Sequence, residues 1–251
     1  MEILRKSMLN LMQVLDKYSD KYPPPEPLSP TLEHYGFRRV PIVQGMLKYM
    51  PEAMDIHFDE RLHISPELDF FYRHCEIICD TCTDTVNLPD FMHSPGYATI
   101  KIGQLFTLFH PEERLAEFQW GWRWRLRYHE SCEKEPEENP DWNPDWLVVA
   151  YNILCDAVIV DTGKEKSPVM IASHDDCIPH PAANSFAEFL DYISILIELE
   201  HGKYSGNKWD EEAGDYIEGF LDDAKEVLGN VNSDSRQVEN LINYLYRRDL
   251  I

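Results

Sequence analysis

The sequence predicts an α+β protein with an antiparallel twisted sheet of about five or six strands, helices on one side of the sheet, and helical extensions at both termini. Two observations lead to this prediction. Residues 146–193 contain three apolar runs of strand length, separated by polar turns and followed by an amphipathic helix. Residues 3–18 and 234–250 carry apolar side chains at helical spacing on one face, as helices packed against a core do.

The sheet is predicted from the three apolar runs. The first is Trp146–Tyr151, and the second, Ala157–Asp161, is rich in Val and Ile, which suit a half-buried pleated surface. Gly163, in the turn that follows, can take the positive φ of a tight hairpin. The third run, residues 168–173, begins with a proline, which a first strand position tolerates. Together the runs predict an antiparallel meander.

A helix that covers the meander is predicted from a capping box and an apolar face. Ser185 is followed three residues later by Glu188, the Ser-x-x-Glu pattern in which the two residues cap each other's backbone. The apolar face consists of Phe186, Phe189, Leu190, Ile193, Leu196 and Ile197.

These elements resemble the second half of a SUKH domain, a superfamily named for bacterial immunity proteins and the fungal cell-wall-assembly regulator. The likeness lies in the Trp-led strand, the strand ending in Asp161, the strand followed by His174 and Asp175, and the Ser-Phe-x-x-Phe-Leu helix start. Residues 64–72, with a Pro-Glu-Leu helix start, and residues 98–103 fit the first half. The resemblance covers residues 60–200. It implies a bacterial immunity protein of a polymorphic toxin system, which neutralises a cognate toxin, often a nuclease or deaminase.

The remaining segments are predicted to complete a single domain, 1–251. Residues 1–58 form a helical N-terminal extension, 60–200 the SUKH-like core, and 205–251 a pair of C-terminal helices. In the extension, residues 3–18 form a helix with Ile3, Leu4, Met8, Leu11, Met12 and Leu15 on one face, and Val43, Met46, Leu47 and Met50 mark a second short helix. Ser65 caps a helix whose inward residues are Leu68, Phe71, Tyr72 and Cys75. Two short helical pieces, broken at Pro111, follow a strand at 97–102.

The net charge of −22 points to the kind of partner. Nucleic acid and anionic membrane are excluded as direct partners, because binding them requires Lys and Arg to neutralise phosphates. A basic protein fits, although such a surface also serves solubility alone. The chain has no run of 18 apolar residues and no secretory signal at its start, so we expect a cytoplasmic protein with reduced cysteines.

Two stretches are candidates for partner binding. Residues 118–128 alternate aromatic and arginine side chains, so Arg123, Trp124 and Arg125 belong to a strand with an aromatic face and a cationic face. The other interpretation places the Trp face in the core and the Arg face against the acidic loop at 130–145. Residues 210–228 are predicted to form one helix, ended by Gly229 at the C′ position, with Asp210, Glu211, Glu212, Asp215, Asp222 and Asp223 on its polar side. That side is either a solvated face or a surface for a basic protein.

Catalytic and metal-binding patterns are weak in this sequence. His174, Asp175, Asp176, Cys177 and His180 offer metal-ligand chemistry, but the prolines at 179 and 181 predict a loose loop. The Cys79-x-x-Cys82 pair lacks the second pair of a zinc ribbon. No Gly-x-Ser-x-Gly motif or glycine-rich phosphate loop occurs. We therefore expect no enzyme activity, cofactor or bound metal.

The predicted function is that of a non-catalytic, acidic immunity protein, which binds a cognate nucleic-acid-targeting toxin and neutralises it by occlusion. The alternative is an intracellular protein-binding scaffold or regulatory module without catalytic activity. A metal-dependent hydrolase built on His174, Asp175, Asp176 and His180 is a third hypothesis.

Overall fold

The computed structural model contains both helices and an antiparallel sheet, which confirms the mixed class. It describes residues 1–18, 46–56, 58, 63–78, 99–102, 106–109, 126–127, 137–138, 142–151, 156–173, 178–210 and 212–246. The α-helices of these residues are α1 (Glu2–Lys17), α2 (Pro66–His74), α3 (Phe186–Glu198), α4 (Phe220–Gly229) and α5 (Ser235–Leu245). None of them has the length and apolarity that crossing a membrane requires.

The main sheet contains the predicted meander. Its strands are β7 (Trp146–Tyr151), β8 (Ala157–Asp161), β9 (Val169–Ala172) and β10 (His180–Ala183), and each is antiparallel to its neighbour. Beyond β7 the order continues with β4 (Phe106–Phe109) and β3 (Thr99–Ile102). Three further strand pairs are separate from this sheet: β1 (Met46–Tyr49) with β2 (Cys75–Ile78), β5 (Leu126–Arg127) with β6 (Glu137–Glu138), and β11 (Trp209–Asp210) with β12 (Asp215–Tyr216).

Strand β8 lies in the middle of the core, and the expectation that it is half-buried was wrong. All five of its residues are buried. Val158 and Val160 belong to the main hydrophobic cluster, whereas Ala157 and Ile159 pack with Trp142 on the opposite face. The sequence of a strand that is covered on both faces is a continuous run of apolar residues, because neither face has to be polar.

The turn after β8 contains Gly163 at a position that has no room for a side chain. Gly163 has no positive φ; the positive values fall on Lys166 and Ser167. A Cβ at Gly163 would collide with the Asp145 carboxylate, since the backbone N–H of Thr162 donates to the Asp145 carbonyl at 2.8 Å. The predicted role of Gly163 is therefore corrected from turn conformation to close approach.

Helix α3 covers the meander and is capped as predicted. The Glu188 N–H donates to Ser185 Oγ at 3.0 Å, and the Asn184 N–H donates to Glu188 Oε2 at 2.8 Å. Six apolar residues of the predicted face are buried. Helix α1 packs along α3, where Ser7 Oγ donates to Asp191 Oδ2 at 2.9 Å. Ile3 was predicted on the inner face of α1 but is 74% exposed, while Ser7 and Val14 are buried.

The start of α2 is also confirmed. Ser65 Oγ accepts from the Leu68 N–H at 3.3 Å, and Pro66 occupies the first helical position. The four predicted inward residues, Leu68, Phe71, Tyr72 and Cys75, are buried. Ser167 Oγ donates to Ser65 Oγ at 2.7 Å, which ties this helix end to the β8–β9 turn.

Three segments predicted as helix or loop are strands. Met46–Tyr49 pairs with Cys75–Ile78, so the short helix predicted at 43–50 is wrong. Phe106–Phe109 pairs with both β3 and β7, which corrects the first helical piece predicted after residue 102. His180–Ala183 is the edge strand of the sheet, and an edge tolerates Pro181 because one side of the strand makes no ladder bonds. Short apolar runs fit either period, and the available partner strand decides between them.

The C-terminal region differs most from its prediction. Residues 210–228 are not one helix: a β11–β12 hairpin precedes α4. Gly214 and Gly219 have φ of 64° and 83°, values that no α-helix accommodates. Gly229 lies inside α4, and Asn230 is its C-cap, so the predicted C′ role of Gly229 is wrong. The last helix was predicted over residues 234–250; in the structure α5 begins at Ser235, directly after its N-cap Asp234, and ends at Leu245, while residues 247–250 lie outside the described residues.

Candidate partner-binding surface

The acidic residues predicted for partner binding lie on two neighbouring elements, the β11–β12 hairpin and the start of α4. Asp210 and Glu212 of the hairpin and Asp222 of α4 are exposed, whereas Asp215 and Asp223 are partly buried. Glu211, Arg123, Trp124 and Arg125 lie outside the described residues. We call Asp210, Glu212 and Asp222 the acidic surface.

The sequence forms a hairpin here because Asp210 closes its turn. Asp210 Oδ1 accepts from the N–H groups of Glu212 and Ala213 at 2.9 and 3.0 Å, and the Gly214 N–H donates to the Asp210 carbonyl at 2.8 Å. A short acidic side chain that bonds the backbone two residues on competes with helix formation. One carboxylate oxygen of Asp210 is thus part of the turn, while the residue remains exposed.

Aromatic contacts join the hairpin to α4. The ring of Trp209 meets Tyr216 edge-on at 5.2 Å between centroids, and Tyr216 stacks on Phe220 at 5.7 Å. Tyr246, which follows α5, meets Phe220 edge-on at 5.1 Å. Phe220 is fully buried. One packed aromatic cluster therefore joins the two elements that bear these acidic residues, the hairpin and α4.

A buried ion pair fixes the base of the hairpin. Lys208 Nζ lies 2.8 Å from Glu200 Oε2, and the two side chains are only 15% and 4% exposed. The ammonium group of Lys208 also lies 5.5 Å from the Tyr246 ring centroid. Glu200 belongs to a π-helical turn, Leu199–Lys203, that extends α3. Through this turn, helix α3 holds the hairpin in place.

The Asp223 carboxylate is hydrogen-bonded to two other residues of the protein. Its Oδ2 accepts from Lys203 Nζ and from the Tyr204 hydroxyl. These two bonds, that from Lys203 first, lower the pKa of Asp223. The bond to Asp223 raises the pKa of Tyr204 to about 12. Asp223 therefore links α4 to the π-helical turn, in contrast to its neighbour Asp222.

Asp222 lies at a cleft of about 680 Å³ between α4, α5 and the edge of the sheet, which we call the α4–α5 cleft. Its polar lining includes Asp156, His180, Asp222, Lys225, Asn240 and Tyr244. Of these, only Asp222 and His180 were singled out from the sequence. Asn240 and Tyr244 are spaced four residues apart on α5, a spacing that places them on one helix face but does not by itself indicate a site.

The residues considered for metal or thiol chemistry are described in part. His174, Asp175, Asp176, Cys177, Cys79 and Cys82 lie outside the described residues, whereas His180 is in β10. Within the part of the chain that the structure describes, no three His, Cys, Asp or Glu side chains are grouped to hold a metal ion. Cys75 is buried, and its burial raises the pKa of the thiol far above the ordinary range. That thiol is protonated and unreactive at neutral pH.

Comparisons of the chain with protein-family models, with curated proteins and with solved structures found no match.

Proposed function

We propose that this chain is a non-catalytic immunity protein, which binds a basic, nucleic-acid-targeting toxin in the bacterial cytoplasm and blocks it by occlusion. The observation that carries the proposal is the acidic surface, Asp210, Glu212 and Asp222, mounted on elements that the Glu200–Lys208 pair and the aromatic cluster hold in place. A toxin that acts on nucleic acid needs a basic cleft, and an acidic protein is steered to such a cleft.

The SUKH resemblance of residues 60–200 supports the same proposal. According to this resemblance, a sheet of five or six strands with helices on one side forms the core, and residues 1–58 and 205–251 are extensions. The β7–β9 meander under α3 is the part of this arrangement on which the resemblance depends. The acidic surface then belongs to the C-terminal extension.

Co-expression tests the function directly. The protein encoded beside this chain is expressed with and without it, cell survival is measured, and the pair is isolated by pull-down. Rescue with a stable complex is the expected result. If both proteins are soluble and neither rescue nor a complex is found for any neighbouring toxin, the immunity function is wrong and the scaffold alternative replaces it.

A matched pair of variants tests the electrostatic part. Asp210→Asn, Glu212→Gln and Asp222→Asn together remove three charges from the acidic surface; asparagine keeps the oxygen that closes the hairpin turn. Glu2→Gln, Glu52→Gln and Glu165→Gln remove three exposed charges elsewhere. At low salt we expect the first variant to slow association by about tenfold and the second much less, with the difference shrinking as salt rises. Equal rates for the two variants would refute a role for this surface.

A further inference from the structure

We propose that Trp209 is the aromatic anchor of the acidic surface, and that a lysine or arginine side chain of the basic partner packs on its ring. This inference rests on the proposed function, because it names the contact through which the acidic surface holds its partner. Trp209 lies in β11, directly before Asp210, and its side chain is partly exposed. Trp is enriched among the residues that contribute most to protein–protein binding.

Tyr216, rather than Trp209, attaches the hairpin to the rest of the protein. Tyr216 packs against the main hydrophobic cluster, stacks on Phe220 and meets Tyr246 edge-on at 5.7 Å between ring centroids. Among the described residues, Trp209 is packed against neither hydrophobic cluster, and the ring that it contacts is that of Tyr216, edge-on with the planes at 86°. An edge-on contact covers at most one face of the indole, so the core does not account for this tryptophan.

The indole of Trp209 has no polar partner in the part of the chain that the structure describes. Its N–H makes no hydrogen bond there, and no lysine or arginine of those residues lies over the ring. A ring face of Trp209 is therefore available to a group from outside the chain.

The surroundings of Trp209 favour a cation as that group. From residue 203 to residue 226 the chain has eight acidic residues and three lysines. Lys203 and Lys208 are paired with carboxylates within the fold, which leaves the exposed Lys225 to offset the acids. The exposed acidic residues of this stretch are Asp210, Glu212, Glu218, Asp222 and Glu226. Trp attracts cations more strongly than other aromatic side chains do, and a negative surrounding adds to that attraction.

The protein binds its own lysines with the same two kinds of group. Lys208 Nζ lies 2.8 Å from Glu200 Oε2 and 5.5 Å from the ring centroid of Tyr246. Lys203 Nζ pairs with Asp223 and lies 5.6 Å from the ring centroid of Tyr204. In each case an aromatic ring and a carboxylate hold one ammonium group. The hairpin offers an indole and carboxylates to a cation of the partner.

A capped hexa-arginine peptide tests the inference without the partner. The peptide is titrated into the isotope-labelled full chain, and the indole N–H signals of the six tryptophans are followed by NMR. The signal of Trp209 is assigned by its loss in Trp209→Phe. We expect a saturable shift that is largest for Trp209, and binding of the neutral hexa-citrulline weaker by about fivefold or more. An unmoved Trp209 signal, or equal binding of the two peptides, would overturn the proposal.

Substitution of the ring separates its contribution from that of the charges. Trp209→Leu removes the aromatic face and keeps every acidic residue, whereas Trp209→Phe keeps a weaker aromatic face. We expect Trp209→Leu to weaken binding of hexa-arginine by about three- to fivefold and Trp209→Phe by about twofold. Binding to Trp209→Leu as tight as to the parent protein would overturn the anchor. If the Gly214 amide signal shows that Trp209→Leu disturbs the hairpin, Trp209→Phe decides, and an affinity equal to that of the parent would overturn it.

Trp146 supplies the matched control. It is also partly exposed, and it meets Trp142 edge-on at 5.5 Å, but it lies in the main sheet at β7. We expect Trp146→Phe to leave binding of hexa-arginine unchanged. A loss as large as that of Trp209→Phe would mean that the peptide does not distinguish the hairpin, and would overturn the proposal.

Failure of this inference and failure of the proposed function give different results. With a toxin that forms a complex, we expect Trp209→Leu to raise the Kd by about tenfold. Rescue and a stable complex with an unchanged Kd would refute the anchor and leave the immunity function intact. Binding of hexa-arginine at Trp209, together with no complex and no rescue for any neighbouring toxin, would refute the immunity function and leave the cation site.

Discussion

Replacing Lys208 by methionine is expected to lower the free energy of unfolding by about 3–5 kcal/mol. The Nζ–Oε2 distance to Glu200 is 2.8 Å, which corresponds to an attraction of about 6 kcal/mol at an effective dielectric constant of about 20. Part of that attraction is offset by the cost of removing both charges from water. Methionine keeps an unbranched apolar side chain of similar length but leaves the Glu200 carboxylate buried without its cation, and this desolvated charge is the main cost.

The assay is urea unfolding of the variant beside an exposed counterpart. Lys17 and Glu198 form an ion pair of the same 2.8 Å length, but their side chains are 56% and 40% exposed. Lys17→Met is therefore expected to cost much less than Lys208→Met, because solvent screens the exposed pair. An unchanged dependence of the unfolding free energy on urea concentration would show that the two variants unfold between the same states.

The double variant Glu200→Leu with Lys208→Met separates charge burial from packing. With both charges removed, stability is expected to return to within about 1 kcal/mol of the parent protein. If Lys208→Met costs no more than Lys17→Met, the pair is not buried in solution and the account of how the hairpin is held is wrong. If the double variant is as unstable as Lys208→Met, packing rather than the unpaired charge causes the loss.

Three further predictions concern single positions. Burial raises the pKa of Asp191, so its charged form disfavours folding at neutral pH and this penalty disappears as pH falls through the raised pKa; Asp191→Asn should melt higher than the parent at pH 7, with the gap closing on acidification. Asp234→Ala removes an N-cap that accepts from two backbone N–H groups and should cost about 1 kcal/mol in urea unfolding, whereas Asp234→Ser should recover most of it. Gly214→Ala, at a φ of 64°, should cost about 1–2 kcal/mol, while Gly229→Ala inside α4 should gain about 0.5–1 kcal/mol; effects of the same sign would contradict the backbone assignment.

The acidic surface shows how far sequence reasoning reaches for the candidate site. Composition identified an acidic C-terminal region, and that region does present Asp210, Glu212 and Asp222 to solvent. Its conformation was predicted as a single helix because acidic residues on one side and apolar residues on the other fit a helical period. The sequence also contained signals against a single helix: Asp210, whose side chain can bond the backbone of its own turn, and the glycines Gly214 and Gly219. These are single residues without a repeating spacing, so a search for helical or strand periodicity does not detect them.

The sequence by itself determined the elements whose information is local. The meander at 146–172, the capping box at Ser185, the N-cap at Ser65 and the terminal helix α1 follow from side-chain period and from bonds between residues three positions apart. Each is specified within a few residues, so no distant partner is needed to predict it.

Only the tertiary structure decided the features that depend on distant partners. Met46–Tyr49 and Phe106–Phe109 are strands because β2, β3 and β7 lie beside them, and a short apolar run takes the conformation that satisfies its backbone hydrogen bonds. Glu200 and Lys208 become a buried pair, and Asp156, Asp222 and Asn240 come to line one cleft, through packing of elements far apart in the chain. Burial and convergence are properties of that packing, and residue order does not encode them locally.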